Sequence, residues 1–243
     1  MPNFVRTPID YSFGDIVMSG ELVVDASIAG PRPGVLVVHE AFGLGEHAIA
    51  NAERLAGLGY AALAMDLWGS RAQITEMPKV MDAIGAMIAD RATWMGRVGA
   101  ALDTLADQPE VDAAKLAAIG YCFGGASVLE FARTGGGVLG VGSFHGALNP
   151  LGADWSSERT KGKLLICTGW DDPLVPAAAI AAFQENIAGS GVDWELNLYS
   201  GTRHSFTNPA FQGAAANEMI EYNAQSDRRS RERLDAFLAE IFA

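Results

Sequence analysis

Three residues in this chain of 243 have the types and order needed for nucleophilic catalysis: Cys122 in GYCFGG, Asp172 in GWDDPLVP and His204 in TRHSF. Gly120-Tyr121-Cys122-Phe123-Gly124 has the G-x-C-x-G spacing of a nucleophile elbow, a sharp strand-to-helix turn. Such a turn holds its nucleophile in a strained conformation, and bulky neighbours at the glycine positions would collide with it. It lifts the sulfur above the carboxyl ends of the strands, at a helix N-terminus whose partial positive charge favours the thiolate. A small buried cysteine beside a tight turn is the plain structural alternative, so the partner residues must decide.

An elbow fold places its acid and then its base after the nucleophile. Asp172 lies three residues after Gly169 and four before Pro176, in a G-x-x-D-x-x-x-P loop. His204 follows in YSGTRHSFTNP. In these roles His204 takes the thiol proton and later activates water, while Asp172 fixes its tautomer and stabilises the imidazolium. Asp171 competes for the acid position; the loop spacing favours Asp172, whose alternative role is to cap the next helix. Among the other histidines, His47 is expected on an exposed helix face. His145, in SFHG, comes too early in the chain to be the base and is expected on the pocket floor. The loop VVHEAFGLGEH, residues 37–47, has the small residues needed to present a backbone N–H to an oxyanion. Ala41 is the candidate donor there, with the N–H of Phe123 as the second.

Elements that bring these loops together can be read from the apolar pattern. GVLVVHE (34–40), YAALAMD (60–66), KLAAIGY (115–121), GVLGVGSFHG (137–146), KLLICTG (163–169) and WELNLYS (194–200) read as short buried strands. SGELVVD supplies another before a Pro/Gly turn. Ile49, Ala52, Leu55 and Ala56 recur at helical spacing, as do Leu234, Phe237, Leu238 and Ile241 near the C-terminus. Further helices are expected over 77–107, broken near Asp90–Thr93, from about residue 124, and over 177–188. Apolar strands alternating with amphipathic helices predict an α/β fold, a mainly parallel sheet with helices on both faces. No linker or repeat divides the chain, so residues 1–243 are expected to form one domain.

The ordered set HEAFG, GYCFGG, DDPLVP and HSF, spread from residue 39 to residue 206, resembles the dienelactone hydrolase family of α/β-hydrolases. The resemblance implies a triad of Cys122, Asp172 and His204. It also implies that Glu40 matches the family glutamate that approaches the cysteine and helps generate the thiolate. Read from the residues alone, Glu40 is a strand-end carboxylate making a local ion pair. Members of the family bind a substrate carboxylate with arginines, one of them four residues after the catalytic histidine; here that position is Asn208. The other follows a DL strand end, where this chain has DLWGSR and Arg71 is displaced by one residue. Arg91 and Arg203 are spare candidates. Trp68, Trp94 and Trp170 are expected to border the pocket. The implied activity is hydrolysis of an activated ester or lactone, of the carboxymethylenebutenolidase type, through an acyl-thioester.

Composition narrows the partners. With 17 basic and 29 acidic residues the formal charge is −12, which opposes nonspecific nucleic-acid binding. No apolar run reaches membrane-spanning length, and the N-terminus lacks the order of a signal peptide. Cys122 and Cys167 form no disulfide framework or zinc spacing, so reduced thiols in a cytoplasm, without metal or cofactor, are expected. The expected partner is a small-molecule ester or lactone. Two rival readings stand beside this one. GLGEHA (43–48) matches G-x-G-x-x-A between strand and helix, with Asp66 near the next strand end, as in a dinucleotide-binding oxidoreductase. Yet HEAF separates the strand from the first glycine, and the elbow is left unexplained. A noncatalytic or redox-sensing binding module using Cys122 would need the acid or base to be missing, and both are present.

Overall fold

A computed structural model describes residues 3–243, which form two compact units, one ending at Ile119 and the other running from Gly120 to Ala243. The division falls inside a strand, β5 (Val111–Tyr121), rather than in a linker.

In the first unit β1 (Phe4–Phe13) and β2 (Ile16–Asp25) form an antiparallel hairpin. β2 also pairs antiparallel with β4 (Ala61–Met65), which runs parallel to β3 (Arg32–Val38). Val35, Leu36, Val37 and Val38 are all buried, as an unbroken apolar strand requires. α1 (Glu46–Gly57) packs on β2, β3 and β4 and buries Ile49, Ala52, Leu55 and Ala56. The long helical stretch breaks at Asp90, whose side chain accepts the Thr93 N–H at 3.0 Å and starts α3 (Arg91–Ala106) after α2 (Met77–Ala89). β1 has no counterpart among the apolar runs: its residues are almost all exposed, and Tyr11 alone is buried.

In the second unit β6 (Gly140–Phe144), β7 (Lys163–Gly169) and β8 (Trp194–Tyr199) are successive parallel neighbours. α4 (Phe123–Arg133) packs on β6, α5 (Ala177–Ile187) joins β7 to β8, and α6 (Ala224–Ile241) closes the chain against β6 and β7. Leu234, Phe237 and Leu238 of α6 are buried. Each such side chain contributes about 1.5–3 kcal/mol by leaving water. Phe237 lies so close over Gly140 that an added Cβ there would come within 2.7 Å of its ring. No helix among the described residues is long and apolar enough to cross a membrane.

Candidate active site

β5 ends at Tyr121 and α4 begins at Phe123, so the turn between them is Cys122 alone. Its φ of 54° and ψ of −118° are costly for any residue with a side chain. Gly120 explains how the turn closes: a Cβ there would lie 2.1 Å from the Gly124 carbonyl oxygen. The Cys122 N–H is held twice, by the Phe144 carbonyl at 3.0 Å and by His145 Nδ1 at 3.1 Å. Cys122 remains partly exposed, whereas Cys167 is buried and its thiol is pushed up to about 12 by desolvation.

The loops that carry Asp172 and His204 follow β7 and β8. A Cβ on Gly169 would meet the Thr202 carbonyl at 2.1 Å, and the Asp171 N–H donates to that same oxygen at 3.0 Å, so the two loops press together by their backbones. Asp172 is buried; its Oδ1 accepts the Leu174 N–H at 2.8 Å and its Oδ2 accepts from His204 Nδ1 at 2.8 Å. Asp171 is exposed, so the structure brings Asp172, not its neighbour, to the imidazole. Burial works against a charge on His204, but the Cys122 sulfur and the Asp172 carboxylate outweigh it and raise the imidazole from 6.5 to about 10. The ring is thereby set up as an imidazolium between a sulfur and a carboxylate.

His145 departs from expectation. It is completely buried rather than on a pocket floor, and both ring nitrogens are engaged: Nδ1 accepts from Cys122, and Nε2 lies 2.8 Å from Thr207 Oγ1. Asn208, where the family pattern has an arginine, uses its Oδ1 to accept the Ala210 N–H at 3.0 Å and cap a short 3₁₀ turn, Pro209–Phe211. Arg203 pairs with Glu221 at 3.1 Å on the surface. Trp170 is exposed at the surface.

The remaining candidates lie in the first unit. His39 Nδ1–H donates to the Glu40 carbonyl at 2.5 Å, and its Nε2 accepts the Leu67 N–H at 3.0 Å. The ring thus fixes the Glu40–Ala41 peptide, whose N–H belongs to Ala41. Desolvation lowers the pKa of this fully buried histidine and keeps it neutral. Glu40 Oε2 lies 3.4 Å from His47 Nδ1, and both side chains are largely buried; His47 is therefore not on an exposed face. Trp68 Nε1–H donates to the Ala41 carbonyl at 3.0 Å. Asp66 accepts the backbone N–H groups of Trp68, Gly69 and Arg71 at 3.1, 3.0 and 2.8 Å, which shapes the loop after β4. The Arg71 guanidinium is paired with Glu21 at 2.7 Å. Trp94 is fully buried in α3, where its indole fills the core. The histidine of HEAFG was the residue that motif reading passed over; its place between a strand end and a candidate donor was the available signal. Among the described residues no cluster of three or more His, Cys, Asp or Glu is arranged to hold a metal ion.

Residues 20–242 match the model of the dienelactone hydrolase family. The crystal structure of a dienelactone hydrolase-like promiscuous phosphotriesterase from metagenomic libraries superposes with a TM-score of 0.91, at 39% identity and over 99% of each chain. A protein of Escherichia coli K12 named as a carboxymethylenebutenolidase is 24% identical over 225 residues, covering 81% of this chain and 78% of its own. A Methylorubrum extorquens protein of the same name is 27% identical over 186 residues, 73% of this chain and 64% of that one. The mainly parallel α/β architecture expected from the strand pattern is the architecture of these structural neighbours.

Proposed function

This chain belongs to the dienelactone hydrolase family and is a hydrolase of ester or lactone bonds, and from that premise we propose that it works through Cys122 by way of an acyl-thioester. The observation that carries the reading is the line of groups in the second unit: a strained cysteine at a helix N-terminus, an imidazole raised to about 10 in part by that sulfur, and a buried carboxylate 2.8 Å from the far ring nitrogen.

The thiolate sulfur adds to the carbonyl carbon, and the π electrons move to oxygen. The oxyanion is met by the N–H of Phe123, with the N–H of Ala41, the candidate that the small residues of loop 37–47 suggest, as the second donor. Each such donor contributes about 3 kcal/mol to the transition state. Collapse breaks the bond to the leaving alkoxide or enolate, which takes its proton from the His204 imidazolium. The thioester carries no thiolate charge, so one of the two causes raising His204 is gone. The neutral imidazole then accepts a proton from water as the water oxygen adds to the acyl carbon, and collapse releases the carboxylic product and restores the thiolate. Asp172 holds the ring in the tautomer that exposes Nε2. Glu40 enters by resemblance, as a carboxylate that helps generate the thiolate when substrate binds.

A thiolate is readily expelled from a tetrahedral intermediate, so the rival leaving group must be at least as good. Enol lactones, aryl esters and thioesters meet that condition, and amides do not. With Asn208 capping a turn and Arg71 paired to Glu21, neutral substrates fit better than carboxylates. The 39% identity to a phosphotriesterase favours aryl phosphotriesters as a second class, with sulfur adding at phosphorus and aryloxide leaving.

Intact-mass spectrometry during p-nitrophenyl acetate turnover, beside Cys122→Ala, tests the proposal. Transient acetylation of Cys122 and loss of p-nitrophenol release in the variant are expected. Equal release from both proteins, with no acetylated cysteine, overturns it in favour of a noncatalytic module.

A further inference from the structure

We propose that His145 is a positioning residue that locks the nucleophile turn to the loop carrying His204, through one imidazole bonded to both. The inference rests on the reading of Cys122 as the nucleophile and concerns what keeps that sulfur in register with its base.

His145 follows β6 directly, with its own N–H donated to the Cys167 carbonyl of β7 at 2.8 Å. Its φ of 42° turns the chain so that the side chain returns under the elbow instead of continuing the strand. Nδ1 receives the Cys122 N–H at 3.1 Å, so Nδ1 carries no hydrogen. The hydrogen therefore resides on Nε2, which donates it to Thr207 Oγ1 at 2.8 Å. Thr207 lies three residues after His204 in the same loop. The ring also packs edge-on against His204, with centroids 5.0 Å apart, and against Phe206, 5.4 Å apart. One neutral tautomer thus satisfies both bonds at once. The other tautomer, or the doubly protonated ring, would aim an N–H at the Cys122 N–H and leave that group to the Phe144 carbonyl alone, which ties the elbow to β6 but not to the His204 loop.

Two features make this more than core packing. Apolar packing alone would be served by any aromatic ring, but a phenyl group has no acceptor for Cys122 and no donor for Thr207. The bonded groups also belong to the two loops whose separation controls proton transfer. A misplacement of ~1 Å between reacting groups costs up to about 10²-fold in rate.

The test uses the full-length protein and two readouts: the rate of Cys122 alkylation by iodoacetamide at pH 7, and kcat and KM with p-nitrophenyl acetate. Cys167 is buried and does not compete for the reagent. Thr207→Val removes the hydroxyl at nearly constant shape, and Thr207→Ser restores it. His145→Asn keeps an acceptor near Cys122 but loses reach to Thr207. Thr207→Val and His145→Asn are expected to slow alkylation and lower kcat by a similar factor, about tenfold, with KM within about twofold, and Thr207→Ser to recover most of the loss. A folded Thr207→Val protein that alkylates and turns over within twofold of wild type overturns the inference. So does a Thr207→Ser variant as slow as the valine. If the wild-type enzyme never forms acetyl-Cys122, the nucleophile reading has failed instead, and the alkylation ratios still judge whether His145 holds the turn.

Discussion

His204 donates from Nδ1 to Oδ2 of Asp172 across 2.8 Å, and the other oxygen of that carboxylate is taken by the Leu174 N–H. Asp172 therefore arrives with its rotamer already set, and it can present one oxygen only to the imidazole. Asp172→Asn keeps the shape but can turn an amide N–H toward Nδ1, reversing the tautomer. We expect kcat for p-nitrophenyl acetate to fall by about 10³–10⁴-fold with KM little changed. Asp171→Asn, on the exposed neighbour, is expected to stay within about twofold, the scale of an ordinary surface change. The opposite pattern would move the acid role to Asp171.

The raised pKa of His204 has a consequence for folding. Its value is about 10 in the folded chain against 6.5 for a free imidazole, so the protonated ring favours the folded state. That stabilisation is complete below pH 6.5 and is lost as pH rises through about 10. Urea unfolding across this window should show wild type losing stability. Cys122→Ala, which removes one cause of the raised value, should lose less. Parallel profiles for the two proteins would mean that the sulfur does not hold the charge on His204.

The positions of Cys122, Asp172 and His204 were legible because each lies where a strand pattern stops. KLAAIGY ends at the cysteine turn, and KLLICTG is β7 residue for residue. Buried strands are written in unbroken apolar runs, and breaks in them mark the edge where loops can do chemistry. β1 was not legible for the same reason: FVRTPIDYSF buries little beyond Tyr11, so nothing forces its composition to be apolar. His145 and His39 were misplaced or passed over because their roles depend on backbone partners, Cys122 N–H and the Glu40 carbonyl, which no side-chain pattern encodes. Trp94 was expected at a pocket because tryptophan often lines one, but its position on α3 is a core position.

His39 offers a separate check on the Ala41 donor. Its two bonds clamp the Leu67 N–H and the Glu40 carbonyl, and the latter belongs to the peptide whose N–H is the proposed oxyanion contact. His39→Phe keeps an aromatic ring of similar size and removes both bonds. The Leu67 N–H then loses its acceptor, and the Glu40 carbonyl is left with the Gly43 N–H at 3.3 Å. A buried donor without a partner costs about 1–3 kcal/mol, so a lower Tm is expected. The informative readout is kinetic. Loss of a whole oxyanion donor costs about 10²–10³-fold in kcat, so a loosened one should cost about tenfold, with KM nearly unchanged. Full activity in the folded variant would show that the Glu40–Ala41 peptide needs no such clamp or takes no part.

Substrate charge supplies the last prediction. Asn208 caps a 3₁₀ turn where the family pattern has an arginine, and Arg71 is held by Glu21 at 2.7 Å. The chain as a whole carries a formal charge of −12, from 17 basic and 29 acidic residues. A carboxylate-bearing substrate meets an opposing field on approach and finds neither arginine waiting. For a matched pair of p-nitrophenyl esters, one neutral and one ending in a carboxylate, kcat/KM should favour the neutral ester by about tenfold at low salt. Raising ionic strength shortens the Debye length from about 30 Å at 0.01 M to about 8 Å at 0.15 M, which screens the long-range part. The preference should narrow with salt but persist, and Asn208→Arg should reduce what persists. A preference abolished by salt alone would assign it wholly to the net charge. A preference for the anionic ester would mean that Arg71 exchanges Glu21 for the substrate, and Arg71→Ala should then remove it.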